Sequence, residues 1–115
     1  MIIAEIGWNF LGNLELAKKM IDSADEAGCK YIKFQIWNPK NLIKGSWDND
    51  GRREIYNKAY LDKDRYTELY NYCNEKNLTC FASVFDDEGY KILKTVSKKF
   101  IKIPSVEAYD IDLIK

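Results

Sequence analysis

The sequence contains no histidine, and so lacks the side chain that most often binds metals and exchanges protons near neutral pH. A complete metal site formed by this chain alone is therefore not expected. Net charge is also absent, since 18 basic residues balance 18 acidic ones. This balance excludes a general electrostatic attraction to nucleic acid or to an anionic membrane, so any anion must be bound by a local group of cations.

Cysteine is scarce and odd in number, and the three residues Cys29, Cys73 and Cys80 show no CxxC spacing. This pattern indicates free thiols in a reducing compartment. The chain also lacks a long apolar run and begins directly with a strand-like segment rather than a secretory signal. We therefore expect a cytoplasmic protein that binds neither membranes nor nucleic acid. Its 115 residues, 46% of them hydrophobic, fit a single domain, 1–115.

Short apolar segments alternate with amphipathic helical patterns along the chain. Asn13 and Asp62 are expected N-caps, and Gly28 is an expected left-handed helix end. Alternation of this kind predicts an α/β fold with a parallel sheet and right-handed crossovers. The expected strands are 2–7, 31–37, 78–85 and 100–105, and the expected helices are 14–27, 62–77 and 86–96.

Two segments depart from this regular alternation. A connection of about two dozen residues follows the second strand, with at most a short helix near 52–60, and connections of that length are usually functional lids or disordered. Asp110 could cap a further helix, but only five residues follow it. Because such a short helix is marginal, the chain is interpreted as part of a larger fold.

Alternate residues of a strand face opposite sides of a sheet, so each strand divides into two sets. One set is apolar and is expected to lie under the helices: Ile2, Ala4, Ile6, Ile32, Phe34, Ile36, Cys80, Ala82, Val84, Ile101 and Ile103. Polar residues interrupt the other set: Ile3, Glu5, Gly7, Tyr31, Lys33, Gln35, Phe81, Ser83, Phe85, Phe100, Lys102 and Pro104.

A sheet with one apolar face and one partly polar face suits a closed barrel whose lumen binds ligands at the carboxyl ends of the strands. An open flavodoxin-like sheet is the competing architecture, but helices on both of its faces would bury Glu5, Lys33 and Lys102. With Ser83, these residues form the candidate site. The alternative for Glu5 and Lys33 is a purely structural ion pair.

Five stretches occur in the order found in the sialic acid synthases: IIAEIG at 2–7, LELAKKMID at 14–22, YIKFQ at 31–35, FASVFD at 81–86 and FIKIPS at 100–105. On these motifs the chain resembles the amino-terminal half of that family. The resemblance implies a partial (β/α)8 TIM barrel with the first four strands and three helices. It also implies condensation of phosphoenolpyruvate with an N-acylated amino sugar, giving a nonulosonic acid and phosphate. The divalent metal of the family, manganese or magnesium, would have its ligands outside this chain.

The resemblance also implies roles for individual residues. Glu5, Lys33 and Lys102 are catalytic candidates: the two lysines would bind phosphoenolpyruvate, and Glu5 would transfer a proton or bind the sugar. Two positions depart from the family, with Phe10 in place of histidine and Val106 in place of glycine. The implied substrate-binding positions are Asn9, Gln35, Ser83, Phe85, Ser105 and Glu107.

Two other functions remain open on the sequence alone. A non-catalytic half-barrel could associate with itself, bury its sheet edges and at most bind small anions. Another sugar-handling barrel, such as an isomerase, is the third possibility. The expected macromolecular partner is a second copy of the chain or a second half-barrel chain.

Overall fold

A sheet of four parallel strands organises the computed structural model, which describes residues 1–97 and 99–115. The strands are β1 (Ile3–Gly7), β2 (Tyr31–Ile36), β3 (Thr79–Val84) and β4 (Ile101–Lys102). The helices are α1 (Leu14–Glu26), α2 (Arg52–Ala59), α3 (Lys63–Glu75), α4 (Asp87–Val96) and α5 (Ile111–Ile114). Short 3-10 turns occupy Pro39–Asn41, Ser46–Asp48 and Ser105–Glu107.

The strands lie in the order β1-β2-β3-β4, so each strand is the spatial neighbour of the next one in the sequence. A flavodoxin-like sheet has the order 2-1-3-4-5 instead, and the open-sheet alternative is therefore excluded. Helix α3 packs between α1 and α4 and contacts β3, so these three helices form one layer. In the described part of the chain, no helix combines the length and apolarity needed to cross a membrane.

Side-chain caps begin α1, α3, α4 and α5, and the predicted caps Asn13, Asp62 and Asp110 are among them. The carboxylate or amide oxygens of Asn13, Asp62, Asp86 and Asp110 each accept a backbone N–H from the first turn of α1, α3, α4 and α5. Strand β4 is shorter than the predicted 100–105, because Pro104 has no N–H for a sheet hydrogen bond and a 3-10 turn follows it.

The hydrophobic core lies between the sheet and the helix layer, as predicted for the middle of the apolar set. Residues 32, 34 and 36 on β2 and 80, 82 and 84 on β3 are buried. The prediction is wrong at the two edges of the sheet, where Ile2 is 75% exposed and Ile101 is 45% exposed. Both lie at or beside outer strands, which have only one strand neighbour each.

Phe10 belongs to this core. Its side chain is fully buried, and its ring packs edge-on against Phe34 with the ring centroids 6.1 Å apart. The neighbouring Asn9 is exposed and its side-chain amide donates to the carbonyl of Ile6 at 2.9 Å. Phe10, at the position where the resemblance implies a histidine, therefore contributes to the hydrophobic core of this chain.

The long connection between β2 and α3, residues 37–62, is folded and is tied to the start of α4 at both ends. At its beginning, Asn38 donates its backbone N–H to Asp86 at 2.9 Å and its side-chain amide to Glu88 at 2.6 Å. Near its end, the Tyr60 hydroxyl donates to Glu88 at 2.8 Å. Burial and the Glu88 carboxylate raise the pKa of Tyr60 to about 12. We call residues 37–62 the connecting segment.

The hydrogen bonds that Asn38 and Tyr60 donate to Glu88 predict a pH-dependent contribution to stability. Hydrogen bonds from Asn38 and then Tyr60 lower the pKa of Glu88 from its usual 4.5, because they favour the ionised carboxylate. A lowered folded-state pKa gives stabilisation that is complete above the unfolded pKa and is lost as the pH falls through the folded one. The difference in urea midpoint between the wild type and Glu88→Gln should therefore be larger at about pH 6 than at about pH 3. A pH-independent difference would contradict this role.

A second prediction concerns Gly12, where the first loop meets the end of α2. Gly12 has a φ of +81°, and a Cβ at this position would lie 2.1 Å from the Lys58 carbonyl oxygen. Gly28 has a φ of +83° but has nothing within 4 Å of the same added atom. Gly28→Ala should therefore lower the free energy of unfolding by only about 1–2 kcal/mol, the strain of the left-handed backbone. Gly12→Ala should lower it by roughly 1–3 kcal/mol more, because backbone must move. Equal values in urea titrations would show that the close approach is not rigid.

Candidate active site

A buried lysine lies at the centre of the sheet face opposite the helices. Lys33 on β2 is 9% exposed, forms an ion pair with Glu5 on β1, and donates from Nζ to the Ser83 hydroxyl on β3 at 3.0 Å. Glu5 lies directly opposite Lys33 in the strand register. Three of the predicted site residues are therefore in direct contact.

An irregularity in β1 shapes the Glu5 side of this group. The register shifts between Glu5, opposite Lys33, and Gly7, opposite Phe34. Such a bulge redirects the side chains around it. Gly7 has a φ of +57°, and an added Cβ would lie only 3.1 Å from the Glu5 Oε1 atom. Glycine at this position therefore leaves room for the carboxylate.

The next row of the sheet toward the carboxyl ends carries the remaining polar residues. Gln35, Ser83 and Lys102 are register partners across β2, β3 and β4. Lys102 is exposed, and within residues 1–97 and 99–115 no hydrogen bond or ion pair involves its ammonium group. Lys33 thus contacts the Ser83 hydroxyl, and Lys102 is the register partner of Ser83 on the neighbouring strand, on the face that the strand parity predicts.

Aromatic residues form the layer beyond this polar row. Trp37 and Phe85 lie two residues after Gln35 and Ser83, with ring centroids 5.2 Å apart in an edge-on arrangement. Trp8, after β1, stacks on Tyr56 of α2 at 4.3 Å with an interplanar angle of 21°. Trp37 packs edge-on against Tyr56 at 5.4 Å. The carboxyl ends of three strands therefore meet the connecting segment in one aromatic cluster.

A cleft of about 740 Å³ opens at this cluster. Three of the predicted substrate-binding residues, Gln35, Phe85 and Glu107, line it. Ser105 is exposed at the start of the 3-10 turn that carries Glu107, and the Asn9 side chain is occupied by the turn after β1. The other lining residues are Trp8, Trp37, Asn38, Asn41, Leu42, Ile43, Trp47, Tyr56, Asp86 and Val106.

Apart from Phe85, the aromatic residues of the cleft are the part of the site that the sequence prediction missed. Continuing the strand alternation past Gln35 would have placed Trp37 on the same face, since the two are separated by two positions. Trp47 and Tyr56 lie in the connecting segment, where no periodic pattern relates them to the sheet. Only the length of that segment indicated a functional role.

Within residues 1–97 and 99–115, the acidic and thiol side chains are too far apart to form a metal site by themselves. In the described ranges, no three His, Cys, Asp or Glu side chains are close enough together to hold a metal ion. These residues alone therefore do not fit the complete divalent-metal site of the resembled family.

Comparison with protein families gives a match to the NeuB family model over residues 20–115. The chain belongs to the NeuB family. It is 37% identical to the N-acetylneuraminate-9-phosphate synthase of Drosophila melanogaster, with 99% of this chain and 33% of that protein covered. It is 31% identical to the N,N'-diacetyllegionaminic acid synthase of Campylobacter jejuni, with 100% of this chain and 38% of that protein covered. The chain therefore spans about a third of the length of these relatives.

Solved structures agree with this membership. The N-acetylneuraminic acid synthetase of Leptospira borgpetersenii superposes with a TM-score of 0.81 at 31% identity, covering 97% of this chain and 38% of that one. A spore coat polysaccharide biosynthesis protein E from Chromobacterium violaceum gives a TM-score of 0.84 at 21% identity, which shows the fold. These matches confirm the sequence-based prediction of a partial (β/α)8 barrel that comprises its first four strands.

Replacement of Lys33 by methionine distinguishes a binding role from a structural one. Its partner Glu5 is 45% exposed and stays hydrated when the cation is removed, whereas methionine fills the buried volume. We expect Lys33→Met to change the free energy of unfolding by less than about 1 kcal/mol, against roughly 3–5 kcal/mol for a pair whose loss leaves a buried charge. Ile32→Ala in the adjacent core position is the control and should cost about 2–5 kcal/mol in the same urea titration. A large loss with Lys33→Met would assign the pair to stability.

Proposed function

We propose that this chain supplies the phosphoenolpyruvate-binding half of a nonulosonic acid synthase. The observation that carries the proposal is the buried Lys33 ammonium, held between Glu5 and Ser83 with Lys102 in the neighbouring row. A buried cation beside a hydroxyl binds carboxylate and phosphate oxygens strongly, because the low-dielectric surroundings strengthen charge-assisted hydrogen bonds. Phosphoenolpyruvate carries both groups.

In the proposed reaction, C3 of phosphoenolpyruvate bonds to the aldehyde carbon of an open-chain N-acylated amino sugar. Water adds at C2, and phosphate leaves. Lys33, Lys102, Ser83 and Ser105 bind the anionic substrate, while Glu5 transfers a proton or hydrogen-bonds the sugar. Relatives named as synthases of N-acetylneuraminate-9-phosphate, N,N'-diacetyllegionaminic acid and pseudaminic acid support this assignment.

The proposal extends to parts beyond this chain. Because the chain spans about a third of its relatives, further barrel strands would complete the site and would contribute the ligands of a manganese or magnesium ion. Residues 1–115 would then form one folding unit that contains the anion-binding half. We place the reaction in the cytoplasm, because its reducing environment keeps cysteines as free thiols and the three cysteines of this chain are unpaired.

A second candidate function is self-association of a non-catalytic half-barrel. Exposed apolar side chains at the outer strands favour it, among them Ile2 at 75% and Phe100 at 50% exposure. Size-exclusion chromatography with light scattering separates the two functions, since a folded monomer that binds phosphoenolpyruvate would count against self-association as the main role.

The test of the main proposal is calorimetric titration of phosphoenolpyruvate into the chain, followed by phosphate release in a version extended to a complete barrel. Lys33→Ala should weaken binding at least tenfold and lower phosphate release with manganese and an amino sugar by roughly 100-fold or more. The matched control is Lys19→Ala, an exposed lysine on α1, which should leave both values unchanged. Unchanged values with Lys33→Ala would overturn the site assignment.

A further inference from the structure

The cleft above the anion site differs from it in charge. Lys33 and Lys102 lie in the lower rows of the sheet, whereas the lining of the cleft includes the carboxylates Asp86 and Glu107 and, in the described part of the chain, neither lysine nor arginine. Asp86 accepts hydrogen bonds from Asn38, Asn41 and Gly89, so its charge is fixed in the wall. The charge of the site therefore changes from positive at Lys33 and Lys102 to neutral or negative in the cleft.

The arginines nearest the cleft already form ion pairs and hydrogen bonds within the connecting segment. Arg53 pairs with Asp48 at 2.7 Å and also donates to the Pro39 carbonyl at 2.9 Å. Arg52 pairs with Asp50 at 2.6 Å and donates to the Ser46 hydroxyl at 2.9 Å. Hydrogen bonding by Arg53 also lowers the pKa of Asp48. Both guanidinium groups thus organise the connecting segment, and moving either one toward a ligand would break bonds within it.

The wall offers apolar surface and amide groups. Trp8 and Tyr56 form the stacked pair described above, and Trp47 and Ile43 lie beside them in the lining. Apolar and aromatic faces suit the C–H groups of a sugar and the methyl of an acyl group. The Gln35 amide in the lining provides a donor and an acceptor for hydroxyl and acyl-amide groups, and the Asn41 amide, which donates to Asp86, offers its oxygen as a further acceptor.

We propose that this cleft selects a neutral N-acylated amino sugar and rejects the corresponding sugar phosphate. This inference rests on the proposed function, in which phosphoenolpyruvate occupies the lysines below. In that reaction phosphoenolpyruvate adds three carbons at the aldehyde end of the sugar, so C6 of the sugar becomes C9 of the product. A phosphate on C6 of the sugar would therefore become a phosphate on C9 of the product. A phosphate dianion in the cleft would lose hydration beside Glu107 and the aromatic wall without gaining a cation from the residues that line the cleft.

Tryptophan fluorescence reports directly on this cleft, because all three tryptophans of the chain line it. The experiment titrates the chain, saturated with phosphoenolpyruvate, with N-acetylmannosamine and separately with N-acetylmannosamine 6-phosphate. We expect the neutral sugar to change the emission and to bind at least tenfold more tightly than its phosphate ester. Equal affinities, tighter binding of the ester, or no binding of either sugar would overturn the proposal.

A charge-changing variant tests the cause of the selectivity. Ile43 is 77% exposed in the lining, and its backbone carbonyl, which accepts the Trp47 indole N–H at 3.0 Å, is retained on substitution. Ile43→Lys adds a cation without touching the anion site and should reduce the preference for the neutral sugar at least threefold. Ile43→Met is the uncharged control and should keep the wild-type ratio. An unchanged ratio in Ile43→Lys would contradict the charge argument.

Failure of this inference can be told apart from failure of the proposed function. Phosphoenolpyruvate binding is measured by calorimetry, independently of the tryptophans, and depends on Lys33. If phosphoenolpyruvate binds in a Lys33-dependent manner but the two sugars bind equally, the anion site stands and the cleft assignment is wrong. If phosphoenolpyruvate binding does not depend on Lys33, the proposed function itself is contradicted.

Discussion

The burial of the Lys33 ammonium is the constraint on which the rest of the site depends. A cation that is 9% exposed requires a counter-charge and a hydrogen-bond acceptor, and Glu5 and Ser83 provide them from the two neighbouring strands. These contacts need parallel strands in a fixed register, because a shift of one residue would turn the side chains to the helix-covered face. The register is fixed in turn by the opposite, apolar face of the sheet, where β2 and β3 are buried under α3 and α4.

The aromatic layer relates the site to the least regular part of the chain. Trp8 and Trp37 follow β1 and β2 directly, but Tyr56 reaches them only because the connecting segment is held in place. Glu88 holds its two ends, Arg53 holds its middle, and Arg65 bonds to the carbonyl of Gly12 and so joins the first loop to α3. Polar contacts among loops thus position an apolar surface, whereas the sheet positions the charges.

The difference between contacts within the sheet and contacts among loops explains which site residues could be predicted from the sequence. Strand alternation is a local property with a period of two, so the amino-acid sequence alone suffices to assign Glu5, Lys33, Ser83 and Lys102 to one face. The caps at Asn13 and Asp62 are also local and were predicted correctly. The cluster of Trp8, Trp47 and Tyr56 could not be predicted, because it depends on contacts such as that between Asn38 and Glu88, which are 50 residues apart.

Exposure across the four polar positions follows strand position in the sheet. Lys33 and Ser83 lie on the inner strands β2 and β3 and are buried, whereas Glu5 on β1 and Lys102 on β4 are exposed. The same gradient appears on the apolar face, where Ile2 and Ile101 are exposed and the residues of β2 and β3 are not. Both faces are therefore incomplete at the same two edges. Strands added beside β1 and β4, as in a closed barrel, would cover the apolar edges and would also enclose Glu5 and Lys102. Closure of the core and completion of the proposed anion site would thus be achieved by the same added strands.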